Sequence, residues 1–279
     1  MTARHEVLIT ADELARMLAA GEPVTLLDVR WTLAEPDGTA AYQAGHLPGA
    51  VYVSLDDELS DHSVPGRGRH PLPSGSALQA AARRWGVRRG VPVVVYDDWN
   101  RAGSARAWWV LTAAGIPDVR ILDGGLAAWT GELHTGTEVP EPGDVTVTHD
   151  DLYHGARRTI AADDALGTPT LLDARPPERY RGDSETVDPV AGHIPGAVNL
   201  PSTSLLSGDG TLLPDADLTD LFDTRGVGAS DVAVYCGSGV TASLVVAALA
   251  TAGVDAALFP GSWSQWSSEP ARPVALGSE

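Results

Sequence analysis

With 279 residues, 43% of them apolar, the chain has material for one large or two ordinary domains, and its net charge of −18 argues against nucleic acid or an anionic membrane surface as partner. All 19 basic residues are arginine, which excludes a Schiff-base or P-loop lysine. A single cysteine, Cys236, excludes an internal disulfide, a redox pair and a cysteine-rich metal site.

Taken in order, the chain alternates helix and strand signals. The N-terminal M-T-A-R-H-E-V-L-I-T lacks an apolar signal core, and no apolar run approaches the ~18 residues of a membrane span, so a soluble, cytoplasmic protein is expected. Thr10 opens a capping box with Glu13 before a helix over 13–20. Apolar strands are expected at 24–29 and 50–54, a helix at 76–85, a strand at 91–96, a helix at 105–114 and a strand at 119–122. E-V-P-E-P-G-D at 138–144 reads as a linker. Beyond it come strands at 171–174, 198–200, 232–235 and 256–259, with helices at 218–225 and 240–252. Near-continuous apolar strands separated by helices predict an α/β fold of parallel sheets covered on both faces.

The second half repeats the first. L-L-D-V-R at 26–30 and A-G-H-L-P-G-A-V at 44–51 return as L-L-D-A-R at 171–175 and A-G-H-I-P-G-A-V at 191–198. V-V-V-Y-D at 93–97 answers V-A-V-Y-C at 232–236, and G-G-L-A-A-W at 124–129 answers G-S-W-S-Q-W at 261–266. Repeated landmarks in one order imply two tandem domains, 1–139 and 140–279. His46 and His193, present in both copies, read as scaffold beside a proline–glycine turn. Asp28 and Asp173, at strand ends, are expected to hydrogen-bond local backbone.

Cys236 occurs in one copy only, at the C-terminal end of a strand, where open α/β sheets place their sites. Gly237, Ser238 and Gly239 let the backbone curl into a helix starting near Val240 and Thr241, which makes a cradle of inward N–H groups. A thiolate there gains from those donors and from the helix dipole, which lowers a thiol pKa of about 8.5 toward neutrality. Cys236 reads as a nucleophile rather than an inert buried thiol. A cysteine phosphatase would close the loop with arginine at position 242, which is Ala242.

The paired D-x-R and G-H-[IL]-P-G-A motifs, the C-G-S-G-V-T loop and the closing G-S-W-x-x-W resemble the two-domain rhodanese-type sulfurtransferases along nearly the whole chain. The resemblance implies two rhodanese-like domains, the first catalytically silent, with Asp97 at its cysteine position, and the second carrying Cys236. It implies transfer of a sulfane sulfur through a cysteine persulfide, from a small anionic donor to a thiol, cyanide or thioredoxin-like acceptor, without metal or organic cofactor. The C-G-S-G-V-T loop is similar to the 3-mercaptopyruvate branch, whereas thiosulfate enzymes carry two cations there. The neutral loop agrees physically, since a dianion loses electrostatic reward without those cations. Thiosulfate:cyanide transfer and a persulfide carrier with little turnover are the alternatives.

By the same resemblance, Arg179 binds the donor carboxylate, a task suited to a planar guanidinium. The N–H groups of Gly237, Gly239, Val240 and Thr241 line the sulfur, and Ser238 and His70 form a proton relay with Asp56, Asp57 being its competitor. The family's second carboxylate-binding arginine has no counterpart in T-V-D-P-V at 186–190. Trp31 and Trp263 are placed either at the interdomain cleft or in the core, and Trp129 and Trp266 in the core.

Overall fold

A computed structural model describes residues 3–228 and 231–278. The first half runs α1 (Ala3–Val7), β1 (Leu8–Ile9), α2 (Ala11–Ala19), β2 (Thr25–Asp28), α3 (Thr39–Ala44), β3 (Val51–Tyr52), α4 (Leu55–Glu58), α5 (Gly75–Arg84), β4 (Val93–Tyr96), α6 (Ala102–Ala113), β5 (Val119–Leu122) and α7 (Gly125–Ala128). The second runs β6 (Thr170–Asp173), α8 (Pro177–Arg181), β7 (Val198–Asn199), α9 (Asp215–Asp223), β8 (Val232–Tyr235), α10 (Thr241–Thr251), β9 (Ala257–Leu258) and α11 (Ser262–Trp266), with short 3₁₀ turns between. Each half builds one parallel sheet, ordered β1-β5-β4-β2-β3 and β7-β6-β8-β9. The α/β expectation holds for both copies.

Elements expected from apolar runs lie within a few residues of their places, and the Thr10–Glu13 capping box forms in both directions. Strand β1 was not expected. Its two residues are too few to show a period, yet they pair with Ile121 and Leu122 and extend the first sheet. Among the described residues, the second sheet has an isolated parallel bridge, Thr159 to Leu258, at the matching edge.

Period-two alternation distributes each strand between two cores. In β4, Val93 and Val95 enter the largest apolar cluster, whereas Val94 and Tyr96 pack on the other face with Ile9, Leu14 and Leu122. In β8, Val232 and Val234 enter that same large cluster, and Ala233 and Tyr235 pack with Phe259, Trp263 and Trp266. The large cluster belongs to both halves at once. Helices α6 and α10, buried nearly all round, pack against each other at its centre. Arg106 Nη1, one turn inside α6, lies 3.4 Å from Gly239 O, so the loop that precedes α10 stands at this seam.

Residues 143–156 run along the first half: Gly143 donates to Arg83 O, Val145 to Val87 O, Thr148 to Ala114 O and Ala156 to Ala113 O. The chain joins the second sheet near Arg158, whose carbonyl accepts from Leu258 N.

Candidate active site

Cys236 directly follows β8 and is 2% exposed. Its loop is pinned from below by the closing G-S-W motif. Ser262 Oγ accepts from Cys236 N at 3.1 Å, Trp263 N donates to Cys236 O and Ser264 N to Gly237 O. Gly239 has φ +80°, and a Cβ there would stand 2.5 Å from Pro260 O, so only glycine lets the chain turn at this point. That turn aims the Gly239 N–H at Cys236 Sγ, 3.1 Å away. Of the loop donors expected around the sulfur, Gly239 is the one at hydrogen-bonding distance among the described residues.

The first half supplies the next groups. His70 Nδ1 lies 2.8 Å from Ser238 Oγ, and His70 Nε2 lies 3.3 Å from Asp56 Oδ1. Trp31 donates Nε1 to the same Asp56 oxygen at 3.0 Å and meets the His70 ring edge-on, so it stands in the cleft. Asp57 instead lies in the first turn of α4, where its N–H donates to the N-cap Ser54 Oγ and its carboxylate accepts from that hydroxyl. Burial, with smaller contributions from Arg106, Arg69 and His62, lowers His70 from 6.5 to about 3. The imidazole is thus neutral at neutral pH, and the 3.3 Å approach of Nε2 to Asp56 sets a neutral ring, not a cation, beside the carboxylate. The tautomer with its proton on Nε2 turns that N–H toward Asp56 and leaves Nδ1 to accept the Ser238 hydroxyl.

Arg106, in the apolar helix α6, is fully buried and reaches Leu59 O, His70 O at 3.0 Å and Gly239 O at 3.4 Å. Burial lowers its guanidinium to about 10, still protonated at neutral pH. No carboxylate pairs with it among the described residues. It ties the histidine segment of one half to the cysteine loop of the other. The sequence signal was available: Arg106 is the one charged residue of A-G-S-A-R-A-W-W-V-L-T-A.

Arg179, on α8, is held by Glu185 at 2.7 and 2.8 Å and by Asp188 at 2.9 Å. Arg69, beside His70, was missed in the sequence. Its Nη1 reaches the other oxygen of Asp188 at 2.8 Å, and its backbone N–H docks on Ser264 Oγ. A Cβ on Gly237 would lie 3.4 Å from Arg69 Nη2 and 3.6 Å from Arg179 Nη1, so both guanidiniums flank the cysteine loop. Where the resemblance led us to look for a second arginine, the 186–190 stretch provides Asp188, which draws in Arg69 from the first half. Burial pushes the Glu185 carboxyl up. Hydrogen bonds from the Asp188 and Val187 amides and the Arg179 guanidinium outweigh it and hold this group below the usual range.

Other expectations resolve structurally. Asp28 and Asp173 grip the arginine two residues on, Arg30 and Arg175; Asp173 accepts Arg175 Nη2 at 2.7 Å and also its backbone N–H, whereas Asp28 accepts from the Arg30 side chain. The D-x-R motif is therefore a buried ion pair in both copies, and the expected bond to local backbone is present at Asp173. His46 and His193 are buried, with Nδ1 against Tyr42 O and Tyr180 O, and stack on those tyrosines. Trp263 and Trp266 are fully buried core; Trp129 is partly buried against the third cluster. In the first half Asp97 fills its own cradle, accepting from Trp99 N, Arg101 N, and both N and Oγ of Ser104, with Arg101 paired to it at 3.1 Å. A fixed carboxylate occupies the place that the thiol has in the second copy.

The rhodanese-like domain model matches residues 10–132 and 158–269, one copy on each sheet. The chain belongs to the rhodanese family. This rhodanese-family chain is 65% identical, over the full length of both chains, to the Mycobacterium tuberculosis protein named "Putative thiosulfate sulfurtransferase SseB". It is 37% identical to 3-mercaptopyruvate sulfurtransferase of Escherichia coli, over 84% of each chain. The crystal structure of the Escherichia coli 3-mercaptopyruvate enzyme SseA matches with a TM-score of 0.79 and 33% identity, covering 92% of this chain and 98% of that one. The chain is a two-domain rhodanese-type sulfurtransferase, near the 3-mercaptopyruvate branch. Among the described residues, no helix is long and apolar enough to cross a membrane and no group of side chains is arranged to hold a metal ion.

Proposed function

We propose that this sulfurtransferase takes sulfur from 3-mercaptopyruvate onto Cys236 and passes it to a thiol, cyanide or a thioredoxin-like protein. The observation that carries this reading is the His70–Ser238 contact, 2.8 Å, set beside the cysteine loop. A thiol donor has a proton to lose, whereas thiosulfate has none, so a neutral histidine with a hydroxyl relay serves the former. The Cys236 thiolate attacks the donor sulfur, the carbon–sulfur bond breaks, and its electron pair leaves on the pyruvate enolate. The thiol proton travels through Ser238 and His70 and returns to the enolate carbon, giving pyruvate and a Cys236 persulfide anion. Gly239 N–H stabilises the sulfur charge, and Arg179 with Arg69 holds the donor carboxylate. The acceptor then removes the outer sulfur and restores the thiolate.

Thiosulfate is the second reading, favoured by the name of the 65% identical relative and by the two guanidiniums at the loop. Steady-state transfer from both donors to cyanide and to a dithiol separates the two. A kcat/KM ratio of about tenfold or more in favour of mercaptopyruvate is expected, with loss of at least tenfold in Ser238→Ala for that donor alone. A preference for thiosulfate overturns the first reading, and turnover surviving Cys236→Ser overturns both.

A further inference from the structure

Two arginines flank the cysteine loop, yet they bring no net positive charge. Asp188, with its side chain 2% exposed, divides its oxygens between them: Oδ1 to Arg69 Nη1 at 2.8 Å, Oδ2 to Arg179 Nη2 at 2.9 Å. Glu185, with its side chain 4% exposed, takes Arg179 a second time at 2.7 Å. Glu185 also approaches Arg175 at 3.8 Å, and Asp173 holds that arginine at 2.7 Å, so three cations are met by three buried carboxylates, on a chain whose overall charge is −18. The edges left toward Gly237, Arg69 Nη2 and Arg179 Nη1, are hydrogen-bond donors without surplus charge.

We propose that Asp188 is a specificity-determining residue that selects singly charged donors over dianions. It draws one guanidinium from each domain to a common point, which gives a carboxylate two sets of N–H donors. Its own charge cancels the excess that a second negative charge on the donor would need. A monocarboxylate loses little by this arrangement, because directed hydrogen bonds carry its recognition. A dianion depends on net charge and is turned away. This inference rests on the proposed entry of the donor at Arg69 and Arg179.

The test is Asp188→Asn, a nearly isosteric change that keeps an acceptor and removes the charge. Steady-state kcat/KM is measured for thiosulfate and 3-mercaptopyruvate, at low and raised ionic strength. The thiosulfate-to-mercaptopyruvate ratio should rise about tenfold and become salt-sensitive, while Asp188→Glu, which keeps the charge, leaves the ratio at its wild-type value even if both rates fall. An equal fall for both donors in Asp188→Asn, or the same ratio shift in Asp188→Glu, overturns the proposal and leaves Asp188 as scaffold. Should Asp188→Asn fail to fold, Glu185→Gln supplies the reading, with a ratio rise expected and an unchanged ratio refuting. The wild-type donor preference tests the proposed function separately, since the change in ratio is read whichever donor wild type prefers.

Discussion

Replacing Gly239 by alanine probes the cysteine loop most directly, and the structure contains a matched control. Gly239 and Gly210 both adopt φ +80°. At Gly210 a Cβ would find nothing within 4 Å, whereas at Gly239 it would stand 2.5 Å from the Pro260 carbonyl oxygen. Gly210→Ala therefore measures the left-handed backbone cost alone, about 1–2 kcal/mol. Gly239→Ala carries the same cost plus that of overpacking against fixed backbone, about 1–3 kcal/mol more. The loop relieves that contact by moving, which draws the Gly239 N–H away from Cys236 Sγ, now 3.1 Å distant. Loss of a hydrogen bond to a charged sulfur, about 1.5–3 kcal/mol, corresponds to a ten- to hundredfold fall in turnover. Urea unfolding and steady-state sulfur transfer on both variants provide the comparison. Equal stability losses would refute the argument from Pro260. Turnover within twofold of wild type in Gly239→Ala would refute the role given to its N–H.

Two further outcomes are expected. Because His70 is held near 3 in the folded protein and returns to about 6.5 on unfolding, the unfolded chain binds the extra proton between those values. Stability from this group is present above pH 6.5 and is lost as pH falls through the window, by up to about 1.4 kcal/mol per unit. The stability difference between wild type and His70→Asn should change with that slope from pH 6.5 to 4; a constant difference on urea denaturation rejects the assignment. Asp97→Ala leaves Arg101, with its side chain 4% exposed, without its carboxylate. A loss of about 3–5 kcal/mol is expected on denaturation, with specific activity of the folded fraction unchanged. A loss below 1 kcal/mol would mean that the cradle tolerates an empty centre.

The features legible in the sequence were local ones. Val232 to Gly239 announces a strand, a tight turn and a helix start within eight residues, because β-branched residues, glycines and the following apolar run each act over a few positions. The duplication made the fold doubly visible, and the absence of a second cysteine marked one loop as different. Contacts across the cleft were a separate matter. Arg69 and Asp188 lie far apart in the chain, and neither residue type nor spacing announces their pairing. Asp28 and Asp173 were assigned to backbone although their arginine partners stand two positions away, because sequence order does not say which way a side chain turns at a strand end. Arg106 was the missed signal that sequence could have supplied, a lone charge in an otherwise apolar helix.

The hydrogen bond from Ser238 to His70 crosses from one half of the chain to the other, through the seam where α6 and α10 meet. On the proposed reading, catalysis then reports the docking of two bodies rather than the integrity of either. Slight parting of the seam separates base from nucleophile while both sheets remain intact, so mild denaturant should extinguish turnover before it alters the far-ultraviolet circular dichroism. It follows too that the cysteine half has no complete chemistry to export by itself. On this reading its reactivity depends on the copy that carries Asp97 at the matching position, and exchange of that first half for a relative's would retune the enzyme without touching a residue of the cysteine loop.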